Sequence, residues 1–182
     1  MAYAVSLLFN PEMADAVSER WMCLADAGLS RSMLDLGYPP HVTLAVFDRP
    51  IGETAVAALD HVFENVDQMA VTLTAVETFG PGSGVCYAAL APSPDLMRLH
   101  AMTVAAIGEG CRPHYQPGGW TPHCTLAVGL PDADMDHARD ILQKGWRSRT
   151  GVFETAALVE FVPVVGIKRW RLSATPRSTR MP

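Results

Sequence analysis

Positive charge is scarce in this sequence. Fourteen lysines and arginines stand against 19 aspartates and glutamates in 182 residues, a net charge of −5. A protein that grips long nucleic acid through many phosphates is usually basic. An extended nucleic-acid surface is therefore not expected, while a small or terminal phosphate ligand stays compatible. Long apolar runs are missing as well: none approaches the ~18 residues that a membrane-spanning helix needs, so no membrane partner is expected. Met1–Phe9 has neither the basic start nor the long apolar centre of a secretory signal. The four cysteines, Cys23, Cys86, Cys111 and Cys124, form no C-x-x-C pair. That argues against a zinc held by cysteines and for reduced thiols in the cytoplasm. Low-complexity tracts and charged tails are absent, and only residues 176–182 read as a flexible end. What is plentiful is apolar: 49% hydrophobic against 18% charged residues excludes a disordered chain. The length fits one domain, or two small lobes folded together.

Periodicity divides the chain further. Tyr3–Phe9 reads as a buried strand. Asn10 is a plausible N-cap, Pro11 fits the first helical position, and Gly28 is a C-terminal stop. Between them Met13, Val17, Trp21 and Leu24 form a core-facing helical stripe. Val42–Phe47 is a second strand and Thr54–Val66 a helix. Val71, Leu73 and Ala75 alternate with threonines as in a half-exposed strand. Pro81–Gly84 is a turn into the strand Val85–Ala91. Ser93 and Pro94 open a helix that ends at Gly108. Strand Cys124–Val128 follows a Pro/Gly-rich loop, Asp132 or Asp134 can cap a helix to about Trp146, and Ala156–Val162 and Ile167–Ala174 close the chain. The order βαβαββαβαββ predicts an α+β fold with mainly antiparallel sheets and helices on their outer faces.

The most informative feature is a duplication. Residues 38–46 read Tyr-Pro-Pro-His-Val-Thr-Leu-Ala-Val, and residues 120–128 read Trp-Thr-Pro-His-Cys-Thr-Leu-Ala-Val. A compact repeat of this kind predicts two related lobes. Side chains two apart on a strand share a face, so His41 lies with Thr43 and His123 with Thr125, while Val42, Leu44, Cys124 and Leu126 point toward helices. If the lobes face each other, two His–Thr pairs converge on one cleft. One imidazole can take a proton from an attacking oxygen while the other protonates the leaving oxygen. The threonine hydroxyls can donate to non-bridging phosphate oxygens. Imidazole suits both roles because its ordinary pKa of about 6.5 permits either state near neutrality. No metal or other cofactor is needed for such chemistry.

His41-Val42-Thr43-Leu44 and His123-Cys124-Thr125-Leu126 resemble the paired H-x-T/S-x motifs of the 2H phosphoesterase superfamily, also called 2′-5′ RNA ligase-like proteins. The resemblance covers most of the chain. It implies a bilobal pseudo-twofold domain over residues 1–175, with two mainly antiparallel sheets facing a central cleft. It also implies hydrolysis of 2′,3′-cyclic or 2′,5′-linked phosphodiesters, on a nucleotide or an RNA end, with His41 and His123 catalytic and Thr43 and Thr125 on the phosphate. Two positions depart from the bacterial RNA cyclic phosphodiesterases of that group: Val128 stands where an arginine often follows the second motif, and Asp48 and Arg49 stand where a glycine often follows the first.

Other residues carry weaker expectations. Tyr38 and Trp120, each three residues before a motif histidine, are candidates to stack on a base. Arg49, Arg112, Lys168 and Arg169 are candidate phosphate cations or ordinary surface bases. His61, His100 and His137 are expected on helices facing solvent, with His114 a marginal cleft candidate. Two alternatives to an enzyme acting as a monomer on a small nucleotide stay open: a binding module of the same fold without turnover, and a metallohydrolase with both motif histidines as ligands, against which the lack of a nearby carboxylate or H-x-H pair speaks.

Overall fold

A computed structural model describes residues 2–174; the expected flexible end at 176–182 lies outside them. The strands are β1 (Ala2–Phe9), β2 (His41–Phe47), β3 (Met69–Thr78), β4 (Cys86–Leu90), β5 (His123–Ala127), β6 (Arg149–Phe161) and β7 (Val165–Arg171). The helices are α1 (Pro11–Asp26), α2 (Ser32–Asp35), α3 (Glu53–Phe63), α4 (Pro94–Ile107) and α5 (Asp132–Gln143). Element order is as expected from the sequence, with α2 and a 3₁₀ turn at Pro113–Tyr115 added. Both additions are too short to leave a periodic signal.

All strand pairs are antiparallel, in the order β1-β2-β5-β4-β3-β6-β7, and β6 also pairs with β1. The length of β6 explains this layout. Its first part, Arg149–Phe153, runs along β3, and the stretch Phe153–Phe161 runs along β1. The mixed α+β class is as expected, but in place of two facing sheets the strands form one seven-stranded sheet, because β6 is long enough to pair with both β3 and β1. The sequence conceals the first part of β6, because Gly151 weakens strand character there. The glycine is needed for close approach: a Cβ at Gly151 would lie 2.8 Å from the Met13 side chain and from Asn10 Oδ1.

Helices cover one face. Met13, Val17, Trp21 and Leu24 of α1 are buried as the stripe predicts, and α4 adds Leu96, Leu99 and Val104. Two expected caps do other work. The Asn10 side-chain oxygen accepts the Val152 N–H at 2.9 Å, while the Asn10 backbone N–H donates to the Val152 carbonyl at 2.8 Å, tying α1 to β6. Asp132 sits inside the first turn of α5 and accepts the Gly82 N–H at 3.2 Å. On β7, Lys168 and Trp170 turn to the helix side and donate to Asp60 of α3 at 2.8 and 2.7 Å. The opposite face of β2, β1 and β6 carries a smaller apolar group, including Ala4, Leu8, Val46, Ala157 and Val159, capped by Tyr38. Among the described residues no helix is long and apolar enough to cross a membrane.

Gly84 ends the turn before β4 with φ +63°, and an added Cβ would lie 2.8 Å from the Leu130 carbonyl oxygen. Gly82, at φ +77°, faces open space. Gly84→Ala should therefore lower stability by more than the roughly 1–2 kcal/mol of left-handed strain alone, and Gly82→Ala by about that strain. Urea unfolding of both variants checks the order.

Candidate active site

The duplicated tripeptides lie on β2 and β5. In each strand the histidine and threonine are half-buried on one face, while Val42, Leu44, Cys124 and Leu126 are buried on the other. Their registers match. Leu8 stands opposite His41 and Ser6 opposite Thr43; the register then slips and Val5 meets Ala45. Ala89 stands opposite His123 and Tyr87 opposite Thr125; the register slips again and Cys86 meets Ala127. The irregularity falls at Leu44 and at Leu126, so the repeat extends from residue identity to hydrogen-bond pattern. A bulge re-aims the side chains beside it, which makes a shared position meaningful.

β2 and β5 meet where Val42 pairs with Cys124. In an antiparallel pair the positions next to that point are His41 beside Thr125 and Thr43 beside His123, all on the opposite face. The imidazoles are within electrostatic reach, since the His123 charge contributes to lowering the proton affinity of His41.

Each ring is held in the same way. His41 Nδ1 is 2.8 Å from the Pro39 carbonyl oxygen and His123 Nδ1 is 2.7 Å from that of Thr121. A carbonyl only accepts, so Nδ1 carries the proton in both rings and Nε2 is left for chemistry. Burial pushes the His41 pKa down to about 4, with the Pro39 carbonyl opposing and His123 adding to the depression. Burial also lowers His123, against the pull of the Thr121 carbonyl.

The threonine carbonyls are fixed too. Trp120 Nε1 donates to the Thr43 carbonyl at 3.0 Å, and Trp21 Nε1 donates to that of Thr125 at 3.1 Å. Trp120 therefore does not fit the base-stacking role expected of it: it is 6% exposed and lies flat on His100, with ring centroids 4.0 Å apart. His100 is likewise not at the surface. It is 1% exposed and bonds the Tyr115 carbonyl through Nε2 at 2.9 Å. The other expected platform, Tyr38, sets its ring edge against His41 at 4.8 Å.

His41, Thr43 and Thr125 line a cleft of about 280 Å³, together with Ser6, Tyr38 and an apolar wall that includes Phe161 and Val164. Among the described residues no acidic side chain lines it. His123 stands beside this cavity, not in its lining, with Phe79 at 5.0 Å and Tyr87 at 5.4 Å around its ring. Tyr87 donates to Glu77 at 3.0 Å. Sequence reasoning missed both aromatics, because β4 meets β5 across the intervening α4 and not as a hairpin, and that pairing sets Tyr87 opposite Thr125.

Most candidate cations are engaged elsewhere. Arg49 donates to the Glu109 carbonyl, Arg112 forms a two-pronged pair with Asp48, and Lys168 pairs with Asp60. His114 does not line the cleft, whereas Val128 does and is 44% exposed. Among the described residues no three His, Cys, Asp or Glu side chains gather as metal ligands would.

A family model described as "2′-5′ RNA ligase superfamily" matches residues 15–162. Among solved structures the fold is similar to Escherichia coli LigT complexed with 3′-AMP, at a TM-score of 0.63 and 17% identity over 93% of this chain and 97% of that one. It is also similar to TT0787 of Thermus thermophilus, at a TM-score of 0.59 and 18% identity over 96% and 100% of the two chains. A structure described as a phosphoesterase matches at 0.56 and 18% identity, over 94% of this chain and 97% of that one. None of the curated proteins matches the chain in sequence.

The tryptophan clamps lead to a stability test. Trp120→Phe keeps an aromatic ring but leaves the Thr43 carbonyl without its indole donor, and Trp21→Phe does the same at Thr125. Each should cost about 1–3 kcal/mol in denaturant unfolding; an unmoved midpoint would mean that the clamps hold nothing.

Proposed function

The chain belongs to the 2′-5′ RNA ligase superfamily, and on that premise we propose that it hydrolyses a 2′,3′-cyclic or 2′,5′-linked phosphodiester of a nucleotide or RNA end, with His41 and His123 as general base and general acid. One observation carries this reading. Two imidazoles, each with Nδ1 committed to a carbonyl and Nε2 free, stand beside threonines on one face of a crossing strand pair, next to a cleft without acidic lining among the described residues.

On a cyclic phosphate the reaction runs as follows. His41 Nε2 takes a proton from water as the water oxygen bonds to phosphorus. The bond from phosphorus to one ribose oxygen breaks, and His123 Nε2–H gives that oxygen its proton. The product is a phosphomonoester beside a free hydroxyl. Solvent then takes the proton from His41 and returns one to His123. Thr43 and Thr125 donate to the non-bridging oxygens as charge builds. Water is activated by imidazole alone, so the route needs no metal. The assignment of roles follows proton affinity: His41, depressed to about 4, is the neutral partner at mild pH, and His123 is depressed less.

In this reading residues 2–174 form a single domain of two related halves. Both motifs come from one chain, which supports action as a monomer. Four free cysteines, three of them buried, suit a reducing cytoplasm.

His41→Ala and His123→Ala should each lower turnover of 2′,3′-cyclic nucleotides by about 10²–10⁴-fold. With EDTA present the parent protein should keep its rate; saturable binding without product would instead identify a binding module. The pH profile has a definite sign. His41 must be neutral, so kcat/KM falls as pH drops through about 4. His123 must be charged, so kcat/KM falls again as pH rises through a value below the ordinary 6.5. The free-enzyme optimum should be mildly acidic, and an optimum above about pH 8, beyond the titration range of an unperturbed imidazole, would overturn these roles.

A further inference from the structure

One row of residues crosses the cleft face from the motif to the free edge of the sheet. Thr43 stands opposite Ser6, Ser6 opposite Ala157, and Ala157 opposite Arg169. Directly paired residues project to the same side, so Arg169 shares the face of Thr43. Its neighbours Lys168 and Trp170 bear out the alternation by turning to Asp60 on the helix side. At roughly 4.8 Å per strand, the Arg169 and Thr43 backbones lie ~14 Å apart, and the Ser6 and Ala157 side chains between them are buried, Ala157 in the apolar group that Tyr38 caps. The row through His41 runs likewise to Leu8, Thr155 and Arg171. The edge of the cleft face therefore carries two arginines, and neither has an ion-pair partner among the described residues.

Two further groups point to what Arg169 would hold. Ser6 Oγ and Tyr38 OH are buried, line the same cleft, and have no hydrogen-bond partner of good geometry among the described residues. Ser6 is 1% exposed and Tyr38 6%. Arg169 is close enough for its charge to act on the Tyr38 phenol, and the Ser6 hydroxyl acts on the same phenol. Two buried hydroxyls that have only each other, in poor geometry, keep hydrogen-bonding capacity for a further partner. A guanidinium can only donate, and both hydroxyls can donate as well. Arg169 stands at the sheet edge beside this acid-free cleft and not in its lining, and donors so placed on β1, on β7 and in the loop before β2 select a ligand group rich in acceptor oxygens and negatively charged.

We propose that Arg169, Tyr38 and Ser6 form a second anion subsite, which holds a non-reacting phosphate of a substrate whose scissile phosphate lies between the two motif histidines. The proposal rests on the phosphodiesterase reading and narrows it to substrates that carry two phosphates. The second is either a 5′-phosphate on the same nucleoside or an internucleotide phosphate one residue away.

Three substrates separate these sources: a 2′,3′-cyclic mononucleotide with a free 5′-hydroxyl, the same compound with a 5′-phosphate, and a 3′,5′-linked dinucleotide ending in a 2′,3′-cyclic phosphate. The wild-type protein should favour at least one two-phosphate substrate over the first in kcat/KM. Arg169→Gln, at an exposed position that tolerates the change, should reduce that preference about tenfold, the effect of one charge-assisted contact. Tyr38→Phe, which removes only the phenol oxygen, should reduce it in the same direction. The arm whose advantage disappears identifies the source of the phosphate. A wild-type protein without preference, or a preference unmoved by Arg169→Gln, overturns the subsite and leaves the reaction standing. Failure to turn over any of the three, and a 2′,5′-linked dinucleotide as well, overturns both.

Discussion

Where β2 crosses β5, Val42 and Cys124 face each other with no exposure to solvent. That buried contact fixes the rest of the site. A strand that buries one residue must present its neighbours to the other side, so sealing Val42 and Cys124 into the core obliges two histidines and two threonines to share the opposite face. The bulges at Leu44 and Leu126 then turn both strands alike, and the indole bonds from Trp120 and Trp21 hold the carbonyls of the two threonines. Each motif backbone receives an indole donor, but from different elements: Trp21 from α1, and Trp120 from the loop before β5. The symmetry is thus one of physical demand, a buried carbonyl that requires a partner, more than of sequence position.

The same burial sets the electrostatics. A ring withdrawn from water resists protonation, and here the two rings lie within electrostatic reach, so a charge on His123 further penalises charging His41. The carbonyls of Pro39 and Thr121 oppose that trend and orient the rings. A phosphate group entering the cleft would reverse the balance, since a nearby anion favours the imidazolium form. Proton affinity in such a site is therefore a property of the complex, low when empty and higher when the ligand is present. That coupling suits a pair in which one member must be charged while its partner is not.

Much of this was legible in the sequence because duplication is a strong signal and strand alternation is strict. His41, Thr43, His123 and Thr125 follow from those two facts alone. Other parts were not. Trp120 stands beside a motif histidine, and proximity along the chain says nothing about which side of a loop an indole fills; its buried stacking on His100 is a tertiary outcome. His100 itself was readable: Leu96, Leu99, Thr103 and Val104 place it on the apolar stripe of α4, where a solvent-facing histidine would not fit. Tyr87 and Phe79 flank His123 only because β4 pairs with β5, a register that residue identity does not reveal. The length of β6 was hidden by Gly151, whose missing side chain weakens the strand signal while permitting the close packing of Met13.

Net charge also needs a local reading. A value of −5 argues against a broad phosphate-binding surface, yet it does not describe the cleft. Arg112 and Lys168 are neutralised in pairs with Asp48 and Asp60, so they add little field of their own. Among the described residues the lining contains no carboxylate to repel an anion. The arginines on the cleft face of β7 are spaced by strand periodicity, not gathered by composition, and a count of charges cannot register that. An acidic protein can therefore keep an anion site: no acid among the described residues lines the cleft, and Arg169 and Arg171, without ion-pair partners among the described residues, lie on its face.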